Sequence, residues 1–234
     1  MCIASLVDPK DVLLRNFGRP VQAIALSPEY KSDRTFLSGG RAGDLILTTG
    51  GRVGVSSNST TMGGAAAAAS SWLGSIGLGA NTGKDTVLHT GEGSISTIKW
   101  SLSGKYVTWV NEEGIKIMRS NLHLDSSDSE LAWKRISHID RPNLPGWEEM
   151  ASVWKASAEW IDESIFEPED EANSKSNAAH SETAMPPQSV TIKETVEKLV
   201  VGWGGTIWVI NVYPHRASKT SRDRRIGSVE VATM

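Results

Sequence analysis

Ile95 to Ser120 reads ISTIKWSLSGKYVTWVNEEGIKIMRS, and the alternation within it decides the fold class. From Ile95 to Trp100 successive side chains of an extended chain point to opposite faces, with Ile95, Thr97 and Lys99 on one and Ser96, Ile98 and Trp100 on the other. Both faces carry apolar bulk, which suits a strand of a sheet packed between two neighbouring sheets. Ser103-Gly104 supplies a tight reversal, where glycine tolerates a positive φ. Tyr106 to Val110 and Ile115 to Arg119 are the next two strands. Apolar residues at helical spacing are missing from the phrase.

The same phrase recurs on both sides. VQAIALSPEYKSDRTFLSGGRAGDLILTTG starts at Val21, and VWKASAEWIDE starts at Val153 and resumes at Val196 as VEKLVVGWGGTIWVINVY. Each is an alternating strand, a small-residue turn, an aromatic or aliphatic strand ending in Gly or Asn, and another strand. With insertions removed the period is roughly 40–45 residues, the signature of propeller blades, each one four-stranded sheet. Further strands are expected at Cys2 to Val7, Asp11 to Leu14, Thr35 to Ser38, Asp44 to Thr48, Thr86 to His89, Leu131 to Ile139 and Val229 to Ala232. Within the repeats, strands are expected at Val21 to Ser27, Val153 to Ile161, Val196 to Gly202 and Thr206 to Val212. Gly202, Gly204 and Gly205 around Trp203 read as a reversal between two strands rather than a ligand loop.

The expected fold is therefore all-β: a WD-type β-propeller over residues 1–234, incomplete at about three to four blades. The nine tryptophans fit it, since Trp100 and Trp160 end a first strand while Trp109 and Trp203 end a second. A large aromatic buries about 150–250 Å² and fills the space between sheets, so these read as packing between blades. Two flexible insertions interrupt the propeller. Residues 52–84 are almost all Gly, Ser, Thr, Asn and Ala, and residues 163–194 are acidic and then rich in Ser, Ala and Pro.

Composition narrows the function class. The 234 residues are 39% hydrophobic, enough for a real core, and a net charge of −3 offers no positive field for nucleic acid. Arg222, Arg224 and Arg225 are interrupted by Asp223 and read as a solvated loop. Cys2 stands alone and makes no internal disulfide, which places the chain in a cytosolic setting. Neither a run of about 18 apolar residues nor a signal-peptide pattern is present in the sequence, so Asn58-Ser59-Thr60 matches a glycosylation acceptor only formally.

Signatures of catalysis fail one by one, so the chain reads as a non-enzyme without cofactor or metal. Gly77 to Lys84 has the wrong glycine spacing for a phosphate loop, and Asp85 stands where Ser or Thr would hold magnesium. The dinucleotide fingerprint fails too, with its last glycine one residue late. His89, His123, His138, His180 and His215 lack metal-ligand spacing. No Gly-x-Ser-x-Gly elbow occurs, and the pairs Glu112-Glu113 and Glu148-Glu149 are adjacent residues that diverge.

One segment stands out. From Ser70 to Ala80, bulky apolar residues sit in a bed of Ser and Gly with almost no charge. As a helix it would place Trp72, Leu73 and Ile76 on one side, with Leu78 at the edge. Glycine costs such a helix up to about 1 kcal/mol per interior position, so it would order only on burying that face. Two readings stand: a membrane-inserting sensor of loosely packed, curved lipid, and a satellite cluster folded back on the propeller rim.

LHTGEGSISTIKWSLSGKYVTWVNEEGIKIM, from Leu88 to Met118, resembles a blade of the vacuolar protein-sorting family whose members form part of the HOPS tethering complex. FGRPVQAIALSPEYKSDRTFLSGGRAGDLIL from Phe17 and LVVGWGGTIWVINV from Leu199 resemble the same family in the same order. Together the three stretches cover about half the chain. In that family the propeller precedes a helical solenoid and a zinc-binding region, so the resemblance implies an N-terminal propeller fragment. It further implies a scaffold for tethering and fusion in protein transport to the vacuole or lysosome. The implied partners are other HOPS subunits, a Rab-type GTPase, a vesicle adaptor complex and a curved membrane. The implied place is cytoplasmic, peripheral on the vacuole or late endosome. A generic propeller adaptor without a membrane role is the competing expectation. A glycan-hydrolysing propeller stands third, for want of convergent acids at a central pore.

Overall fold

The computed structural model describes residues 1–15, 17–50, 56–57, 83–122, 132–162, 196–213 and 227–233. The chain opens with β1 (Cys2–Ala4) and β2 (Val12–Arg15). The first repeat is β3 (Val21–Leu26), one helical turn α1 (Tyr30–Asp33), β4 (Phe36–Gly40), β5 (Leu45–Thr49), β6 (Ser56–Ser57) and β7 (Lys84–His89). The second is β8 (Thr97–Trp100), β9 (Tyr106–Val110), β10 (Gly114–Arg119) and β11 (Arg135–Asp140). After the turn α2 (Trp147–Met150) come β12 (Ser157–Ile161), β13 (Glu197–Trp203), β14 (Thr206–Tyr213) and β15 (Ser228–Thr233).

Each repeat folds into its own four-stranded antiparallel sheet, in the orders β3-β4-β5-β7, β8-β9-β10-β11 and β12-β13-β14-β15. The antiparallel pair β1-β2 forms a smaller sheet, to whose edge β6 adds in parallel through Leu14 with Ser56 and Arg15 with Ser57. The first strands of the three large sheets stand side by side, with β8 between β3 and β12. Trp100 Nε1 donates to the Ala25 carbonyl at 3.2 Å, and Thr97 Oγ1 donates to the Ala156 carbonyl at 2.8 Å. Consecutive four-stranded meanders whose first strands adjoin are the blades of a propeller, here partial and not closed into a ring.

β9 shows why the sequence packs this way. Tyr106, Val107, Thr108, Trp109 and Val110 are all fully buried, because both faces of the strand meet another sheet. Val107 and Trp109 join Ala23, Leu37, Leu45 and Leu47 of the preceding sheet. Tyr106 and Val110 join Ala158, Trp160, Leu199 and Val201 of the following one, and the Tyr106 and Trp160 rings stack at 6.3 Å. Burying one such large apolar side chain contributes about 1.5–3 kcal/mol before chain entropy is set against it. The tryptophans at strand ends thus pack between blades, as their positions predict.

Most expected strands form within two residues of their predicted bounds, and the departures have local causes. The first stops at Ala4, because Ser5 Oγ accepts the N–H groups of Val7 and Asp8 at 3.2 and 3.0 Å and turns the chain. The strand expected from Val153 starts at Ser157, since Gly146 at φ 74° admits α2 and the N–H groups of Val153 and Trp154 both close onto the Met150 carbonyl. The strand expected from Leu131 starts at Arg135, two residues after Trp133 adopts φ 60°. Gly104 at φ 76° makes the predicted reversal, whereas Gly202 lies inside β13 and only Gly204 and Gly205 turn. The second face of Thr97–Trp100 differs from expectation: Ile98 and Trp100 are buried, but Thr97 and Lys99 meet the next sheet through polar contacts.

Candidate interaction surface

The meanders divide their connections between two ends. Turns 41–44, 111–113 and 204–205 and the sheet-to-sheet crossovers 90–96 and 141–156 share one end. Connections 27–35, 101–105 and 162–196, together with 50–83, 120–134 and 214–227, leave from the other. Within the sheets, the long links 50–83, 120–134, 162–196 and 214–227 therefore all depart from one end, the long-loop end, while the turns at the opposite, short-loop end are brief and the sheet-to-sheet crossover 141–156 is the long segment there.

The short-loop end is locked by polar contacts. Ile95 N–H donates to the Gly40 carbonyl at 3.1 Å and Arg141 N–H to the Glu113 carbonyl at 3.1 Å, tying each crossover to a neighbouring turn. Glu92, held at φ 60° in the first crossover, drops its carboxylate between two sheets. There Oε2 lies 2.8 Å from Nζ of Lys116, a side chain with no exposure, and Nζ also donates to Asn111 Oδ1 at 2.6 Å. His89 Nε2 is 3.4 Å from Glu92 Oε2, and Arg135 Nη1 is 3.7 Å from Oε1. The hydrogen bond from Lys116 holds the Glu92 carboxyl down to about 2, while burial lowers the Lys116 ammonium and the His89 imidazole from their ordinary values. A lysine in the middle of the apolar strand Gly114–Arg119 is the sequence signal for a buried partner.

The second crossover, 141–156, is an aromatic clamp. Trp147 lies 5.6 Å from Trp154 and 5.2 Å from Trp203, Trp203 Nε1 donates to the Trp154 carbonyl at 2.6 Å, and Arg141 stands 4.9 Å over the Trp147 ring. These contacts press the crossover onto the Gly204 turn, where a Cβ would meet Leu144 and Trp147.

Two concavities flank β3. At the long-loop end a notch of about 410 Å³ between β3 and β8 is lined by Leu26, Pro28, Trp100 and Leu102. At the short-loop end a smaller cleft of about 50 Å³ opens between the β2–β3 crossover and the face of β4, β5 and β7 turned away from β8. Arg15 pins β2 to that face, ion-paired with Asp85 and donating to Thr48 Oγ1 at 3.2 Å.

Of the residues singled out from sequence, Trp72, Leu73, Ile76 and Leu78 lie outside the described residues, as do nearly all of the two insertions. Glu112 and Glu113 are exposed at a turn and Glu148 and Glu149 are exposed on α2. Among the described residues no group of three or more His, Cys, Asp and Glu stands together to hold a metal, and no helix is long and apolar enough to cross a membrane, which says nothing of a β-barrel.

Sequence comparison adds a likeness to this geometry. The chain is 34% identical over 128 residues to the tomato (Solanum lycopersicum) vacuolar protein sorting-associated protein 41 homolog, a match covering 54% of this chain and 9% of that protein. Over this stretch the chain is similar to vacuolar protein sorting-associated protein 41. The Arabidopsis thaliana homolog of that protein is 30% identical over 142 residues, covering 60% of this chain and 10% of its own length. The Schizosaccharomyces pombe protein of that name is 29% identical over 117 residues, covering 49% and 10%. The matches therefore span about a tenth of the length of these relatives. No protein-family model matches the chain. Among solved structures, the WD40 domain of fission-yeast SCAP superposes with a TM-score of 0.41 at 13% identity over 92% of this chain and 30% of that one. Saccharomyces cerevisiae Sqt1 gives 0.41 at 10% identity over 92% and 35%.

Proposed function

We propose that the chain is a non-catalytic scaffold of a HOPS-type vesicle-tethering assembly. In this role it serves protein transport to the vacuole or lysosome and the fusion of late endosomes with it. The observation that carries the reading is the sequence match to vacuolar protein sorting-associated protein 41 of plants and fission yeast. Propeller blades support it physically, because they present rigid surfaces on which recognition needs no chemistry.

On this reading the chain is peripheral on the cytoplasmic face of the vacuole or late endosome and meets other tethering subunits, a Rab-type GTPase and a vesicle adaptor complex. The division of the loops suggests a polarity. The connection carrying Trp72, Leu73, Ile76 and Leu78 leaves the sheets at Thr49 and returns at Lys84, at the long-loop end. That end faces the membrane, where those side chains bury themselves in loosely packed lipid, and the short-loop end faces protein.

Flotation of the chain with small and large neutral liposomes of identical composition tests the membrane half. Preferential flotation with small vesicles, lost in Trp72→Ala/Leu73→Ala/Ile76→Ala, is expected. Equal absence of flotation for both proteins would leave a propeller adaptor working through protein surfaces alone.

A further inference from the structure

The notch at the long-loop end is the larger of the two concavities, and its mouth is apolar. Leu26, the last residue of β3, is 42% exposed, and Leu102, just after β8, is 58% exposed. Trp100 forms the floor, held by its hydrogen bond to the Ala25 carbonyl and by edge contact with the Trp133 ring at 6.0 Å. Pro28 braces the rim, standing 3.5 Å from where a Cβ on Gly104 would lie. The shape is therefore preformed. Among the described residues that line it the charged one is Lys99, which is ion-paired with Glu159. Contiguous exposed apolar side chains of this kind mark interaction sites. The volume of about 410 Å³ takes more than one aliphatic side chain and suits an indole with a neighbour.

The chain carries a matching segment on a tether fixed at the same end. Thr49 and Lys84 pair there, and Trp72, Leu73 and Ile76 lie between them in the sequence. From Val53 to Gly83 the sequence has no charged residue, so an apolar notch asks it to desolvate no charge. Two strand spacings of about 4.8 Å separate β5 from β3, which places the notch about 10 Å from the point of departure. A Gly- and Ser-rich link of roughly 20 residues, such as leads from Gly50 to Trp72, has an average reach of about 25 Å. Reach is therefore no obstacle. Tethering at this range amounts to an effective concentration of about a millimolar, an advantage that a separate protein must overcome to hold the notch.

We propose that the notch between β3 and β8 is the docking site of the chain's own segment Ser70–Ala80, which places Trp72, Leu73 and Ile76 against Leu26, Trp100 and Leu102. Loosely packed lipid and the notch then compete for the same three side chains, so the segment is held back until a membrane takes it. The competition rests on the membrane reading of the proposed function, whereas the docking does not.

The test is amide NMR of the whole chain beside its Trp72→Ala/Leu73→Ala/Ile76→Ala variant. The variant shifts the amides of Leu26, Ser101 and Leu102 at the notch, leaves those of Glu112 and Glu113 at the opposite end in place, and does so at any protein concentration. A synthetic peptide spanning residues 68–82, added to the variant, moves the notch amides back toward their positions in the parent. Leu102→Asp, at an exposed position that leaves folding intact, weakens that peptide binding by about 10-fold or more, because the peptide must then desolvate a carboxylate. The docking is overturned if the notch amides are the same in parent and variant, if the peptide leaves them unmoved, or if Leu102→Asp binds the peptide as well as its parent does. Differences that fade on ten-fold dilution would put a second copy's segment in the notch and refute the chain's own. Flotation with small neutral liposomes separates the two readings. Notch shifts without flotation remove the membrane reading and leave the docking, and flotation of a parent whose notch amides match the variant's does the reverse. In a chain that shows both, Leu102→Asp floats more than the parent, and equal flotation refutes the competition.

Discussion

Glu92→Gln removes the carboxylate that ion-pairs with the buried ammonium of Lys116 and leaves it the hydrogen bond to Asn111 and the more distant charge of Glu113. The Glu92 carboxyl falls from 4.5 to about 2 on folding, and each unit of pKa is worth about 1.4 kcal/mol, so the upper bound is about 3.5 kcal/mol. Glu92 is 34% exposed and partly screened by solvent, which roughly halves that bound to about 2 kcal/mol. The figure sits just below the about 3–5 kcal/mol measured when one member of a fully buried pair is deleted. Lys116→Met should cost less than Glu92→Gln, because it replaces the buried charge with a side chain of similar length and leaves Glu92 beside His89 and Arg135. The double variant should be no less stable than Glu92→Gln alone. The pH dependence follows from the sign of the shift: a depressed carboxyl stabilises the fold above its unfolded value, and that stability is lost as pH falls from about 4.5 toward about 2. His89, also depressed, adds a loss that begins below its ordinary value of 6.5. Urea melts followed by tryptophan fluorescence measure these differences, and Lys116→Met should flatten the acid limb below pH 4.5. If Lys116→Met destabilises more than Glu92→Gln, or if Glu92→Gln changes stability by less than about 0.5 kcal/mol, the Glu92–Lys116 pair is not what joins these two sheets.

Three further outcomes test the packing. Gly114→Ala should be strongly destabilising in thermal melts, because its Cβ would lie 2.2 Å from the Ile139 carbonyl, while Gly202→Ala meets open space and should leave Tm unchanged or raised. Trp160→Ala should cost about 3–5 kcal/mol in urea titration through loss of the stack on Tyr106 and the cavity left behind. Lys99→Ala removes only an ion pair exposed on both sides, so its melting curve should lie within about 1 kcal/mol of the parent's.

The fold was legible where side-chain alternation and turn chemistry agree. Tyr106–Val110 begins and ends at the residues its pattern predicts, because a strand buried on both faces is a continuous apolar run bounded by Gly104 and Asn111. α1 and α2 escaped notice because single turns such as Tyr30–Asp33 and Trp147–Met150 are too short to show a helical period, and each is fixed by tertiary contacts. In α1, the following Arg34 closes the turn at φ 52° and pairs with Asp11 at 2.7 Å, a residue of the preceding sheet's loop. β6 pairs through only Ser56 and Ser57, in a stretch whose composition gives no strand signal.

The polar sites were harder to read. Lys116 announces a buried charge, but its partner Glu92 stands in a crossover that looks like any Gly-rich turn, and only the sheet packing brings them together. The amphipathic stretch from Ser70 to Ala80 has the opposite character: its sequence signal is clear, and it lies outside the described residues.

The most direct test of the central claim is quantitative co-purification. The tagged chain is isolated from cells and its yield of the other tethering subunits is compared with that of a variant disrupted at a blade interface, such as Trp160→Ala. A non-catalytic propeller scaffold of the tethering complex predicts stoichiometric recovery of those subunits by the folded chain and their loss when the blade interface is broken. Recovery of none of them by a folded chain would contradict the account.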